Sequence, residues 1–215
     1  MSESGVQSAR STSSPHVERK RRRRRDEILH SALRAFREHG YHGTTLEQIA
    51  GRLGLRKSAL YHYFADKEAI LYECHRRSLR ELEQAVDDAL ADYESAEDRL
   101  GHIVRAHVRV MTETLQGSSL AFEVSALSPT HRTKVVEARD RYERRVREVI
   151  MDGMRRGEFR TIDPKIGAFG ILGAINWIAH WYDPDGSLPP PELAARFVDH
   201  LVGGLMHRPS HPKGA

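Results

Sequence analysis

Thr44-Thr45-Leu46-Glu47-Gln48-Ile49-Ala50-Gly51-Arg52-Leu53-Gly54-Leu55-Arg56-Lys57-Ser58-Ala59-Leu60-Tyr61-His62-Tyr63-Phe64-Ala65-Asp66-Lys67 is the stretch on which the fold turns. Thr44 and Thr45 offer helix N-caps, and Glu47 and Gln48, three residues on, are capping-box partners. The spacing predicts a short helix over Leu46 to Leu53, ended by Gly54, and a next helix from Arg56 to about Phe64. Two short helices joined through a tight glycine turn are the pattern of a helix-turn-helix. Leu60 and Phe64, four apart, supply the inward side of the second helix. Arg56, Lys57, Ser58, Tyr61, His62 and Tyr63 are left for its N-terminus and outer faces. Such a helix fits a DNA major groove, which is about 12 Å wide.

Outward from this unit the chain reads as helix almost throughout. Ile28, Leu29, Ala32, Leu33 and Phe36 mark one face of a first helix that stops at Gly40, and Asp66 caps a long fourth helix carrying Leu71, Leu79, Leu82, Val86 and Leu90. Further helices are expected over about 97–116, 119–127 and 130–157. Asp163-Pro164 then starts a nearly all-apolar helix running to Trp181. Pro189-Pro190-Pro191 leads into the last helix. No alternating apolar run argues for a sheet. The expected architecture is all-α: a polar tail over 1–17, a helix-turn-helix domain over 18–65, a helical ligand-binding and dimerisation domain over 66–208, and a flexible tail over 209–215.

Composition narrows the function. The 215 residues are 39% hydrophobic and 30% charged, as in a soluble globular protein. The net charge is +4, and Arg19-Lys20-Arg21-Arg22-Arg23-Arg24-Arg25 concentrates positive charge near the start, which points to a polyanionic partner. Cys74 stands alone, so neither an intramolecular disulfide nor a multi-cysteine metal site is expected. Met1 to Val17 lacks the apolar centre of a secretory signal, and Ile166 to Trp181 is short for a membrane span of ~20 residues and contains Asn176 and His180. These features predict a cytoplasmic protein without membrane partners. Thirteen histidines invite a search for a metal or acid–base site, but His39 and His42 merely flank Gly40, and no nucleophile motif or phosphate-cradling loop is present. Neither catalysis nor a cofactor is expected.

Gly40-Tyr-His-Gly-Thr-Thr-Leu-Glu-Gln-Ile-Ala50 together with Leu53-Gly-Leu-Arg-Lys-Ser-Ala-Leu-Tyr-His-Tyr-Phe-Ala-Asp-Lys-Glu-Ala-Ile-Leu71 strongly resembles the DNA-binding domain of the TetR family of transcriptional regulators. The resemblance covers about residues 25–72. It implies that Thr45 contacts a DNA phosphate, that Tyr61, His62 and Tyr63 touch phosphates and base edges, and that Lys67 binds a backbone phosphate. Physical chemistry agrees, since helix N-termini attract phosphates. The competing readings are packing for Tyr63 and plain solvation for Lys67. The basic run is either an arm lying along DNA or a solvated tail with sequence-independent affinity.

The resemblance also implies a homodimer built on the last two helices, reading a double-stranded, partly palindromic operator. Ile166, Phe169, Ile171, Leu172, Ile175 and Ile178 surround a helix that one monomer can hardly cover. The alternative is the central core helix of a monomer. The region over about 97–160 is where such proteins hold a small-molecule effector. His107 and Arg139 fall on or beside apolar stripes there, and Met111, Phe122, Tyr142 and Trp177 complete the candidate pocket, with ordinary core packing as the plain reading of Met111, Phe122 and Tyr142. Asn176-Trp-Ile-Ala-His-Trp-Tyr-Asp-Pro-Asp-Gly186 resembles a TetR subgroup linked to fatty-acid and sterol breakdown, which implies an acyl-coenzyme A thioester as effector. The expected function is a repressor released from DNA by its ligand through a swing of the fourth helix. Activation and non-specific DNA binding are the alternatives.

Overall fold

The structure is a computed structural model, and it describes residues 15–118, 120 and 123–206. Residues 1–14, Phe122 and the expected tail over 209–215 lie outside the described residues.

Helix α1 spans Pro15–Gly43 with a break at Gly40, whose φ of 69° lies in the left-handed region that glycine adopts without a Cβ clash. The basic run does not stand ahead of the first helix as an arm or tail; it forms the helix's N-terminal turns, and Pro15 to Val17 are helical rather than tail. The cause is local. Arginine is a good helix former, Pro15 fits a first turn, and Glu27 pairs with Arg23 at 3.2 Å and Arg24 at 2.8 Å one turn away.

Helix α2 (Leu46–Gly51) and helix α3 (Lys57–Leu60) are both shorter than the apolar spacing suggests. Between them Gly54 turns at φ 65°, and the Leu55 amide donates to the Ala50 carbonyl at 3.0 Å. Beyond Leu60 the chain continues as a hydrogen-bonded turn, with Tyr63 N and Phe64 N both donating to Leu60 O at 2.8 and 3.0 Å. Arg56 provides no side-chain cap to α3, so packing of Leu60 and Phe64 holds this helix more than capping does.

Helix α4 (Lys67–Asp92) begins at Asp66, whose carboxylate accepts from Ala69 N at 2.7 Å. Helix α5 (Ala96–Arg109) runs into a wide π turn over Val110–Thr114 instead of continuing as α-helix to 116. Thr112 Oγ1 donates back to the Val108 carbonyl at 2.9 Å there, a bond that competes with the helical ladder. The helix expected over 119–127 is replaced, among the described residues, by turns over 123–126. Ser128 caps helix α6 (Pro129–Arg155), because a residue before proline avoids the helical region. Asp163 caps helix α7 (Pro164–Asn176), accepting from Lys165 N and Ile166 N at 2.8 and 3.3 Å. Helix α8 (Ile178–Trp181) follows after a break at Trp177, and helix α9 (Pro190–Leu201) leads into a 3-10 turn over Gly203–Leu205.

The packing is helix on helix: α1 and α2 with α3 form the small unit, and α4 joins it to a body in which α5 lies against α4, α6 and α9. Ile28, Phe36, Ile49, Leu60, Ile70 and Leu71 fill the core of the small unit, and Leu100, Ile103, Met111, Ile150 and Phe159 that of the body. Among the described residues no strand forms; Phe159 and Met206 make one isolated bridge.

Candidate nucleic-acid interface and effector cavity

The helix-turn-helix is held by polar contacts read directly from the sequence. Thr45 Oγ1 accepts from Gln48 N at 3.2 Å, and Gln48 Oε1 accepts from Thr45 N at 2.7 Å, a complete capping box. Gln48, not Glu47, is the partner. Thr44 is 1% exposed, and its hydroxyl bonds the carbonyls of Gly40 and Ala35 at 2.8 and 3.0 Å. Thr44 therefore anchors the unit from inside, while Thr45 stays exposed at the start of α2.

Of the expected DNA contacts, Arg56, Ser58, Tyr61 and His62 are exposed along α3 and at its two ends, and half of the Tyr61 surface is open. Lys57 is held at 2.8 Å by Glu47 of α2, and this pair keeps the Glu47 carboxyl below the usual carboxylate range. Tyr63 is half-buried against the core, and its carbonyl accepts from Arg25 at 2.8 Å. Arg25 also covers the Phe64 ring at 4.4 Å, so the last arginine of the basic run is a structural tie.

Lys67 departs most from expectation. Its ammonium donates to Tyr41 O at 2.7 Å and Thr44 O at 2.8 Å, lies 3.4 Å from His42 O, and sits 4.4 Å from the centre of the Tyr41 ring. Partial burial pushes its pKa down. Instead of standing clear as a point charge, it ties the first turn of α4 to the link between α1 and α2. The sequence could not show this, because the partners lie 23 to 26 residues earlier.

In the body, α4, α5, α6 and α7 line a half-open cavity of about 670 Å³. His107, Met111, Arg139 and Tyr142, proposed from sequence, all line it. Trp177 does not: it is 58% exposed and packs on His180 at 4.0 Å, at the break between α7 and α8. Phe122 lies outside the described residues. Tyr142 Oη and His107 Nδ1 are 3.2 Å apart, joining α5 and α6, and Asn176 of α7 lines the same cavity. Burial pushes the His107 imidazole down to about 4, so this wall is polar but neutral. The lining also holds Arg139, Arg144, Arg147 and Lys165 against Asp140 and Glu143, an excess of positive charge. His75, Lys165 and Asn176 were missed in the sequence, since nothing in the α4 or α7 pattern separates a cavity wall from core.

On the outside of α7, Ile166, Phe169, Trp177 and Trp181 of the following turn are exposed, while Ile171, Ile175 and Ile178 are buried within the monomer. The helix is thus both core and open face. Among the described residues no helix is long and apolar enough to cross a membrane, and no group of three His, Cys, Asp or Glu side chains is placed to hold a metal.

A small three-helix unit presenting an exposed α3, mounted on a helical body with a half-open cavity, defines a DNA-binding regulator with a sensing domain. The model for bacterial regulatory proteins of the tetR family matches residues 28–74, and that for the tetracyclin repressor-like C-terminal domain matches residues 93–205. The chain belongs to the TetR family of transcriptional regulators, whose work is binding DNA rather than catalysis. The HTH-type transcriptional repressor KstR2 of Rhodococcus jostii (strain RHA1) is 30% identical over 190 residues, 85% of this chain and 91% of the relative. The crystal structure of the TetR family regulator PfmR from Thermus thermophilus is 34% identical, with a TM-score of 0.74 over 84% of this chain and 99% of that one. AibR in complex with isovaleryl coenzyme A and operator DNA is 27% identical, with a TM-score of 0.72 over 85% of this chain and 98% of that one.

Proposed function

We propose that this chain is a repressor that binds a partly palindromic operator as a homodimer and leaves it when an amphipathic anion, an acyl-coenzyme A thioester in the first instance, fills the cavity. The observation that carries this reading is continuity: α4 forms a wall of the cavity through His75, Ser78, Leu79 and Leu82, and its first residue is the lysine that clamps the helix-turn-helix. A ligand that moves α4 therefore acts on the DNA-binding unit without an intermediary. The surplus of basic side chains around Arg144, Arg147 and Lys165 suits a phosphate-bearing ligand, and the apolar wall of Leu79, Leu82, Met111 and Leu115 suits an acyl group.

Dimerisation follows from the open face of α7. Ile166, Phe169 and Trp177 form an apolar stripe of the kind that marks an association surface. A two-fold dimer sets its recognition helices ~34 Å apart, one turn of DNA. Thr45 and the N-terminus of α3 would position the domain on phosphates, and Lys57, Ser58 and His62 would read bases. Such a regulator acts in the cytoplasm, where the operator is.

Fluorescence anisotropy with the DNA flanking its own gene tests the proposal. Release by acyl-coenzyme A thioesters and not by the matching free acids is the expected result. Retention with both classes overturns it, and tighter binding with thioester converts the reading to a ligand-dependent activator. A ligand that releases DNA must prefer the unbound form, and ~100-fold preference corresponds to ~2.7 kcal/mol of coupling.

A further inference from the structure

His75, Ser78, Leu79 and Leu82 share one face of α4 by their i, i+3, i+4, i+7 spacing and line the cavity. His75 is 2% exposed, and its Nε2 is buried without a hydrogen-bond partner among the described residues. Other polar groups on the cavity wall bond within the protein: Ser78 Oγ donates to the His75 carbonyl at 3.0 Å, and Tyr142 and His107 bond each other; Glu143 Oε1 has no hydrogen bond but lies 3.7 Å from the Arg147 guanidinium. An unpartnered buried ring nitrogen costs free energy, and proteins retain such groups where something else supplies the partner. Leu79, Leu82, Val110, Met111 and Leu115 belong to the apolar part of the same lining.

We propose that His75 is the effector-reading residue of α4, its Nε2 bonding an uncharged oxygen, a hydroxyl or keto group, carried on the apolar part of the effector. The proposal rests on the reading of the cavity as the site of an amphipathic anion and adds a second polar requirement to that ligand. Burial, with the nearby Arg139 charge, pushes the His75 imidazole down to about 3. A neutral ring bonds a neutral oxygen and gives a carboxylate no countercharge. The anionic end of the ligand is left to Arg144, Arg147 and Lys165. His75 lies two turns beyond Lys67 on one continuous helix, so this bond is made to the element that carries the DNA-binding unit.

The test compares ω-hydroxyoctanoyl-, ω-hydroxydecanoyl- and ω-hydroxydodecanoyl-coenzyme A with their unsubstituted parents, and the corresponding free hydroxy acids with theirs. Each is titrated calorimetrically into the wild-type protein, His75→Leu and His75→Gln. For at least one chain length the hydroxylated member should bind wild type about ten-fold tighter than its parent. His75→Leu should lose that preference and His75→Gln keep part of it. Unchanged circular dichroism and ligand-free operator affinity show that the variants fold. Equal binding within every pair in wild type, or a preference that survives in His75→Leu, overturns the proposal. If only the free acids bind and show a His75-dependent preference, the coenzyme A reading falls and the role of His75 stands. If no probe binds, both fall.

Discussion

The Lys67 ammonium lies 2.7 Å from the Tyr41 carbonyl oxygen and 4.4 Å from the centre of the Tyr41 ring, so one residue meets both the backbone and the π face of the other. With Thr44 O as a further acceptor at 2.8 Å, this closes the start of α4 onto the end of α1. Hydrogen bonds from a charged donor are worth about 1.5–3 kcal/mol, less where solvent reaches them. Lys67→Met should therefore cost about 1–2 kcal/mol and lower Tm by several degrees in differential scanning fluorimetry. It should weaken binding to all DNA sequences alike. An unchanged Tm would mean the clamp contributes nothing and leave Lys67 as a phosphate contact alone.

His62 and Tyr61 behave oppositely, because both are exposed in the turn that ends α3, where Tyr61 meets the Lys57 ammonium 6.0 Å from its ring centre. His62→Ala should leave Tm within about a degree, since exposed substitutions move stability by under ~0.5 kcal/mol. It should relax base preference at one operator position by ~1–3 kcal/mol, as read by a substitution series in anisotropy. Uniform weakening across the series would assign His62 to the phosphate backbone.

The exposed apolar stripe of α7 predicts an oligomer. Phe169, 51% exposed, is its central ring, and Phe169→Glu would bury a carboxylate in the interface. Sedimentation should show wild-type dimers and variant monomers, with operator affinity lower by ~10²-fold or more as avidity is lost. A variant that stays dimeric places the interface elsewhere.

His107 sets a pH dependence. In the unfolded chain an imidazole titrates near 6.5, and burial takes that of folded His107 to about 4. Between these values the unfolded state binds the proton and the folded state does not. Stability is thus complete above about 6.5, falls as pH drops toward about 4, and levels off below. At pH 5 the loss for one such group is ~2 kcal/mol. Urea midpoints at pH 7.5 and 5.0 should converge in His107→Gln relative to wild type, and equal pH responses would refute the neutral-histidine wall.

The arginine helix gives the last test. Deleting residues 1–22 removes Arg19 to Arg22 while sparing Arg25, the tie to Phe64 and Tyr63. If the helical extension lies along DNA, the slope of log K against log salt should shrink by about 0.9 per phosphate lost. An identical slope assigns these turns to solvent.

What the sequence disclosed was what is local. Thr45, Asp66 and Asp163 were legible as N-caps because capping joins residues two or three apart. The helix-turn-helix followed from Gly54 and the Leu60 and Phe64 spacing, whereas the cavity region that holds His107, Met111, Arg139 and Tyr142 was implied by the family resemblance. Lys67's acceptors, the stack of Tyr72 on His131 at 3.8 Å, and the unpartnered nitrogen of His75 depend on segments far apart in the chain. Trp177 was misplaced for a subtler reason. An apolar helix that serves as core on one side and open face on the other has no polar stripe to reveal its phase, so the sequence could not say which way a tryptophan points.

The length of α4 has a mechanical consequence. From Leu82 on the cavity wall to Lys67 at the helix start, 15 residues at 1.5 Å rise make a rigid arm of ~22 Å. A tilt of ~5° about Leu82 carries the Lys67 end through ~2 Å, and two such arms related by a two-fold axis double the change, against a half-site repeat of ~34 Å. On the proposed release mechanism a ligand need not push far, because the arm multiplies a displacement too small to disturb close packing into one that a rigid double helix cannot follow.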